Sequence, residues 1–403
     1  MPSISNRAKT LPASPIRKLV PFSEAAKERG VKVYHLNIGQ PDIATPPAFF
    51  EAIKDADLEV VAYSHSAGTQ QLRDEIANYY GRLGHQLNDE QIIVTTGASE
   101  ALNFIFASIM NAGDEVIVPE PFYANYNSFS LAKDTKVVPV ATKIEDNYAL
   151  PPIEEFEKKI TDKTRAILIC NPGNPTGVLY PRESLEELMQ IVKKHDLFLI
   201  ADEVYREFVY GGSKHSSTLG LEGIEQNVIV VDSISKRFSA CGARIGCVIS
   251  RNAELMNAAL KMAQARLSPP TLGQVGAVEM YKLPPSYYEG VVAEYSQRRD
   301  TLKSHLDRIE GVVCPEINGA FYAMVELPVD DSEKFCRWLL EEFEHDGTTV
   351  MMAPGGGFYA TPGAGATQVR IAYVLNESEL TAAMNCLEAG LKAYKAKATA
   401  VSL

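Results

Sequence analysis

The chain has 403 residues, 46% apolar and 22% charged, and its 39 basic against 51 acidic side chains give a formal net charge of −12. That length exceeds one compact core and predicts a large domain with a smaller one, with apolar residues enough for both. The acidic balance excludes nucleic-acid binding through a broad basic surface and favours a protein that handles small molecules.

In chain order, the first 45 or so residues hold too few helical or strand patterns for a domain, so they are expected to cross over and pack near the C-terminal part. From about residue 91, short β-branched runs alternate with helical patterns: "QIIVTT", "SEALNFIFASIM", "DEVIVPEP", then a helix from Tyr123. The rhythm continues through "RAILICN", the amphipathic "RESLEELMQIVKKH", "LFLIADEV", "NVIVVDS" and "RIGCVIS". Runs this apolar suit strands covered on both faces by helices, which predicts an α/β fold around a mostly parallel central sheet. After "KLPPSYYEG" (residues 282–290) come a long helical segment through Asp307, "GAFYAMVEL", the helix "SEKFCRWLLEEF", a glycine-rich loop and "QVRIAYVL". This tail reads as a smaller α+β domain. The expected division is a large domain over 46–284 and a small one made of 1–45 with 285–403.

Several classes are disfavoured. No GxGxxG follows a first strand and no GxxxxGK[ST] occurs, against nicotinamide and P-loop nucleotide sites. The seven histidines are scattered without HExxH or a close pair, so no metal is expected. The six cysteines, Cys170, Cys241, Cys247, Cys314, Cys336 and Cys386, form no CxxC and read as buried reduced thiols. The N-terminal "MPSISNRAKTLPASPIRKL" lacks the apolar core of a signal peptide, and no run is long enough to span a bilayer. The expected location is the cytoplasm.

In open α/β sheets the ligand lies at the carboxyl ends of the strands, so the residues there carry the reading. In "VTTGASEAL", Gly97, Ala98 and Ser99 sit where a strand turns into a helix, either as a plain N-cap or as a phosphate cradle of free N–H groups with the Ser99 hydroxyl added. "NPGNPTG", residues 171–177, is almost entirely turn-formers and is built to hold one amide, Asn174, rigidly. In "LFLIADEVYREF", Asp202 ends an apolar strand with Glu203 beside it. Either carboxylate can cap or pair there, or hold a cationic ring nitrogen, with the Tyr205 hydroxyl near the same ligand. In "SISKRFSACGARIG", Lys236 also ends a strand, between Ser233, Ser235 and Arg244. A lone lysine there is usually a solvated loop residue, but three neighbouring motifs argue for a working amine.

The ordered set "YSHSAGTQQLRDEI", "VTTGASEAL", "CNPGNPTG", "ADEVY" and "SISKRFSACGARIG" resembles fold-type I, class I and II pyridoxal-phosphate aminotransferases, from "LNIGQPD" to "VRIAY" and in family order. The resemblance implies pyridoxal 5'-phosphate as cofactor and Lys236 as the lysine that forms the Schiff base and then shuttles the substrate's proton. Asp202 would keep the ring nitrogen protonated, while Tyr205 and Asn174 would bond the phenolic oxygen. Gly97, Ala98, Ser99, Ser233, Ser235 and Arg244 would hold the phosphate. Tyr123 takes the place of the aromatic stacked on the ring, and Tyr63 that of a tyrosine reaching the neighbouring subunit's phosphate, which implies a homodimer with shared sites. Arg370 matches the clamp on the substrate α-carboxylate, and Gly39 the glycine lying against that carboxylate. No role follows for Asn37 or Asp42. Arg266, before an "SPP" turn, stands roughly where aspartate-using relatives present a second arginine from the partner subunit to a distal carboxylate, and is a candidate reader of that group or, equally, a structural ion pair. Ile16 in "SPIRKL" would shield the substrate.

The implied function is ping-pong amino transfer from an L-amino acid, aspartate foremost, to 2-oxoglutarate. Alternatives on the same residues are an aromatic or other amino-acid aminotransferase, a β-lyase or a decarboxylase. A cofactor-binding regulator would add a DNA-binding domain, for which this acidic chain has neither room nor a basic helix. The partners expected are small molecules and a second copy of the chain, with neither membrane nor nucleic acid.

Overall fold

The strands of the computed structural model, which describes residues 2–401 with side chains through Lys397, fall into three sheets. Met1 and residues 402–403, inside the expected small domain, lie outside the described residues. In chain order the strands are β1 (Lys32–His35), β2 (Ile92–Thr95), β3 (Glu115–Glu120), β4 (Lys136–Ala141), β5 (Thr164–Cys170) and β6 (Phe198–Asp202). β7 (Val228–Ser233), β8 (Gly246–Ile249), β9 (Tyr322–Glu326), β10 (Thr348–Met351), β11 (Ala353–Pro354) and β12 (Gln368–Ala372) follow.

The central sheet has the order β2-β8-β7-β6-β5-β3-β4. β4, β3, β5, β6 and β7 pair in parallel, and only β8 runs against its neighbours β2 and β7. The apolar runs of the parallel strands are explained by burial on both faces: Ile167, Leu199 and Val230 point into one core and Leu168, Ile200 and Val231 into the other. The helix Arg182–His195 buries Leu185, Leu188, Ile191 and Val192 on one side, and the helix Ala98–Ile109 buries Leu102, Ile105 and Phe106 on the other.

This topology fixes where a ligand sits. The carboxyl ends of β2, β3, β5, β6 and β7 share one edge of the sheet. Because β8 runs the other way, its first residue, Gly246, lies beside Thr95 and Ser233, so the segment leading into it reaches the same edge.

A second core gathers around the antiparallel order β11-β12-β9 with the helices Pro285–Leu306, Ser332–Glu341 and Glu377–Val401. β1 pairs in parallel with β10, and the helix Val20–Glu28 packs on the helix Ser332–Glu341, so the N-terminal segment is built into the C-terminal part. Residues 5–19 form a strap with separate moorings: Arg7 binds Asp134 at 3.2 Å and the Ala132 carbonyl, while Lys18 binds Glu333 at 2.5 Å. Between them Pro15 lies on Gly357, where a Cβ would come within 2.3 Å of the proline ring.

Among the described residues no helix is long and apolar enough to cross a membrane, no cluster is suited to a metal, and all six cysteines are free.

Candidate active site

A cavity of about 700 Å³ opens at the shared strand edge, a volume suited to a small ligand and its cofactor. Of the residues singled out from the sequence, Ile16, Gly39, Ala98, Ser99, Tyr123, Asn174, Asp202, Tyr205, Ser233, Ser235, Lys236, Arg244 and Arg370 line it. Gly97 stands just behind as the N-cap of the helix Ala98–Ile109. Tyr63 and Arg266 do not line it.

One end gathers anion donors. The helix Ala98–Ile109 is capped by Gly97, at φ 77°, with no side-chain bond to its first amides, so the Ala98 and Ser99 N–H groups face the cavity end unclaimed. A side chain at 97 would collide with Arg244, its Cβ 2.3 Å from Nη2, so glycine is required both for the backbone and for the guanidinium. Arg244 is held by the carbonyls of Cys241, at 2.9 Å, and Thr96, at 3.2 Å. Ser233 Oγ donates to the Ile245 carbonyl at 2.9 Å and lies 2.8 Å from Ser235 Oγ. Two amides, three hydroxyls and one fixed guanidinium therefore converge, which suits a phosphate.

Lys236 leaves the short helix Ile234–Arg237 just after β7, and its Nζ donates to the Gly39 carbonyl at 2.9 Å. Cys241 Sγ is 3.8 Å from the same nitrogen. Gly39 has no room for a side chain, since a Cβ would lie 1.6 Å from Tyr322 Oη. Asp202, at the end of β6, accepts from Tyr126 Oη at 2.8 Å. Burial pushes its carboxyl up to about 6 despite that bond and the nearby lysine. No cation stands within ion-pair distance of it among the described residues. A protonated ring nitrogen would supply the missing charge.

Arg370 shows the complementary imbalance. It is 1% exposed, donates to Asn174 Oδ1 at 3.1 Å and the Asn37 carbonyl at 2.5 Å, and lies over the Tyr322 and Phe358 rings. All of these partners are neutral, and its Nε is buried without one. Burial accordingly lowers its pKa from the ordinary guanidinium value. A buried cation without an anion is costly, so the group is matched to an incoming carboxylate. Tyr205 Oη lies 2.9 Å from Tyr322 Oη, and burial raises the Tyr205 pKa. Asn125 donates to Tyr123 Oη at 2.7 Å, and burial raises that phenol to about 12.

Arg266 ends the helix Ala253–Arg266 and is engaged within the chain: it pairs with Glu100 at 2.8 Å and donates to the carbonyls of Ser66 and Val94. Of the two roles open to it, the ion pair is the one for which the fold supplies a partner. Asn37 and Asp42 also acquire contacts. Asn37 holds Arg370 through its carbonyl and donates from Nδ2 to the Ile16 carbonyl at 2.8 Å, whereas Asp42 pairs with Arg298 at 2.6 Å.

Sequence reasoning missed Tyr126, Tyr322, Asn125 and Arg17, all but the first of them also lining the cavity. Tyr126 follows Tyr123 by three residues in "PEPFYANY", so one helical turn was a usable signal. Tyr322 alternates with inward residues in "GAFYAMVEL", but nothing in that strand tells which ligand it meets.

The donors, the anionic acceptor without a cation, and the lysine between them fit pyridoxal phosphate in its three chemically distinct parts. Comparison with known proteins agrees. The chain belongs to the aminotransferase class I and II family, whose profile matches residues 31–387. It is a pyridoxal-phosphate-dependent aminotransferase. It is similar to an aspartate aminotransferase of Pyrococcus horikoshii, 31% identical over 97% of this chain and 98% of that one. Among solved structures it resembles the aspartate aminotransferase of Thermus thermophilus with maleate, at a TM-score of 0.88 and 29% identity over 97% of this chain and all of the other. It also resembles an alanine aminotransferase of Pyrococcus furiosus, at 0.89 and 30% over the same shares.

Proposed function

We propose that the enzyme moves the amino group of an L-amino acid, aspartate foremost, to 2-oxoglutarate in two half-reactions. The observation that carries the reading is the pair of unbalanced charges flanking Lys236: buried Arg370 without an anion and buried Asp202 without a cation. Relatives named aspartate aminotransferase over nearly their full length support the donor.

Pyridoxal phosphate, when bound, supplies an aldehyde carbon that captures amines and a ring that accepts the electron pair left at the substrate Cα. The chain's residues do the rest. Ala98, Ser99, Ser233, Ser235 and Arg244 bind the phosphate. Asp202, positioned by Tyr126, keeps a proton on the ring nitrogen. Tyr205 and Asn174 would donate to the phenolic oxygen, and Tyr123, which lines the same cavity, would cover the ring. Arg370 with Asn174 orients the α-carboxylate, which sets the Cα–H bond toward Lys236. Lys236 Nζ would take the proton from Cα and return it across the amino nitrogen to the former aldehyde carbon of the cofactor, a task for which a neutral amine is needed. Ile16 on the strap excludes water.

We infer a homodimer in the cytoplasm. Val60 is 72% and Tyr63 79% exposed, with Phe50, Leu58 and Val61 also open, an apolar face larger than isolated surface residues account for. Tyr63 on that face reaches the partner's phosphate site. The free cysteines fit a reducing compartment.

The test is a half-reaction panel. The purified holoenzyme is mixed singly with aspartate, glutamate, phenylalanine, alanine and leucine, following the cofactor absorbance and the 2-oxo acid released. Rapid conversion by aspartate and glutamate supports the reading. Preference for phenylalanine or alanine removes aspartate as donor, and loss of CO2 or of a β-substituent in place of amino transfer overturns transamination itself.

A further inference from the structure

We propose that Arg17, on the strap across the cavity mouth, is the residue that selects dicarboxylic substrates by receiving their distal carboxylate. The inference rests on the assignment of Arg370 to the α-carboxylate. Four cationic side chains line the cavity: Arg17, Lys236, Arg244 and Arg370. Three are engaged. Lys236 binds the Gly39 carbonyl, Arg244 the carbonyls of Cys241 and Thr96, and Arg370 Asn174 and Asn37. The Arg17 side chain makes no hydrogen bond or ion pair among the described residues; only its backbone is tied, the N–H to the Ser14 carbonyl and the carbonyl to the Val20 N–H. The single carboxylate in the lining, Asp202, lies at the cofactor end. Arg266 is committed to Glu100.

Arg17 is also fixed relative to the α-carboxylate site. Arg370 donates to the Asn37 carbonyl, and the Asn37 side chain donates to the carbonyl of Ile16, the residue before Arg17. The two guanidiniums are thus connected through one asparagine, one buried at the floor and one exposed on the strap. A substrate held by its α-carboxylate at Arg370 presents its side chain toward the mouth. A planar guanidinium there accepts a second carboxylate in a two-point contact that an apolar side chain cannot make. The strap's moorings to Asp134 and Glu333 restrict Arg17 to that mouth.

The experiment compares Arg17→Gln and Arg17→Lys holoenzymes with the wild type by two readouts. One is the ratio of kcat/KM for aspartate to that for phenylalanine. The other is the calorimetric Kd of maleate, an unreactive dicarboxylate, against that of 3-phenylpropionate. For Arg17→Gln the activity ratio should fall on the order of 10- to 100-fold, and maleate should weaken similarly relative to 3-phenylpropionate. Arg17→Lys should recover part of both, since a point charge restores attraction without the planar fork. A ratio unchanged in Arg17→Gln, or equal losses for both donors, overturns the inference. So does a fall in the ratio for Arg266→Gln but not for Arg17→Gln. Failure of the function itself reads differently: the wild type would then transaminate no donor.

Discussion

Neighbouring residues at the end of the central sheet lead opposite lives. Asp202 and Lys236 face the cavity, while Glu203 and Arg237, one position further on, turn to the other side. There Arg237 pairs with fully buried Asp232, which accepts from Tyr80 Oη at 2.8 Å and from the Ser233 N–H at 2.7 Å. Glu203 accepts from Ser217 and Thr218, at 3.0 Å to the Ser217 hydroxyl and 3.0 Å to the Thr218 N–H, with Arg206 alongside and stacked on Tyr80. His215, its pKa lowered chiefly by burial, stays neutral and meets the Asn171 carbonyl. The rear charges find their partners inside the chain; the front charges, Asp202 and Arg370, do not. Buried charge is therefore not in itself the mark of a site, and buried charge left unbalanced is.

The comparison breaks if the two sides respond alike. The largest effect belongs to Lys236→Ala, which should slow amino transfer on the order of 10⁴-fold in single-turnover measurements while leaving the unfolding midpoint close to wild type. Behind the sheet, Arg237→Met strands Asp232 and should cost about 3–5 kcal/mol in urea unfolding. A loss of activity without a loss of stability there would show that the rear network works on the chemistry directly.

Asp202 gives a smaller and pH-dependent effect. In cofactor-free protein its folded pKa of about 6 lies above the unfolded value, so between these values the folded state holds the extra proton. Stability must then fall as pH rises from about 4 to 7, by roughly 3 kcal/mol from this group. Denaturation of Asp202→Asn across that range should lack this component of the slope, and an identical slope in the variant would refute the assignment. Smallest is Glu100→Gln, which frees Arg266 from a partly buried pair. About 1 kcal/mol of stability should go, with the donor preference intact in the half-reaction panel.

The sequence was legible where chemistry is contiguous. Strand-end motifs such as "GAS", "NPGNPTG", "ADEVY" and "SISK" each carry a turn and its functional side chain within a few residues, because parallel strands end at the ligand. The parallel sheet could be read for the same reason: β5, β6 and β7 bury both faces and so carry unbroken apolar runs, Ala166–Cys170, Phe198–Ala201 and Val228–Val231. Legibility failed where function is assembled across distance. Arg266 and Glu100 are 166 positions apart, and the arginine's environment is invisible before the fold brings the helices Ala98–Ile109 and Ala253–Arg266 together. Tyr126 became meaningful only through Asp202, and Asn37 only through Arg370 and Ile16. Arg17 sat in plain view beside Ile16, but a free cation is recognised by accounting for all the others, which needs the cavity.

The strap makes substrate choice a detachable property. It is moored through surface ion pairs, one proline seated on a glycine and one bond from Asn37 to the Ile16 carbonyl, and it contributes no strand to any sheet. Exchanging residues 5–18 for another sequence, with Leu19 kept in the second core, would leave the buried apolar residues of both cores and the cofactor residues as they are. The fold thus keeps the reaction in its rigid interior and the choice of reactant in a short peripheral cassette, so that a graft rather than a redesign is enough to redirect the enzyme.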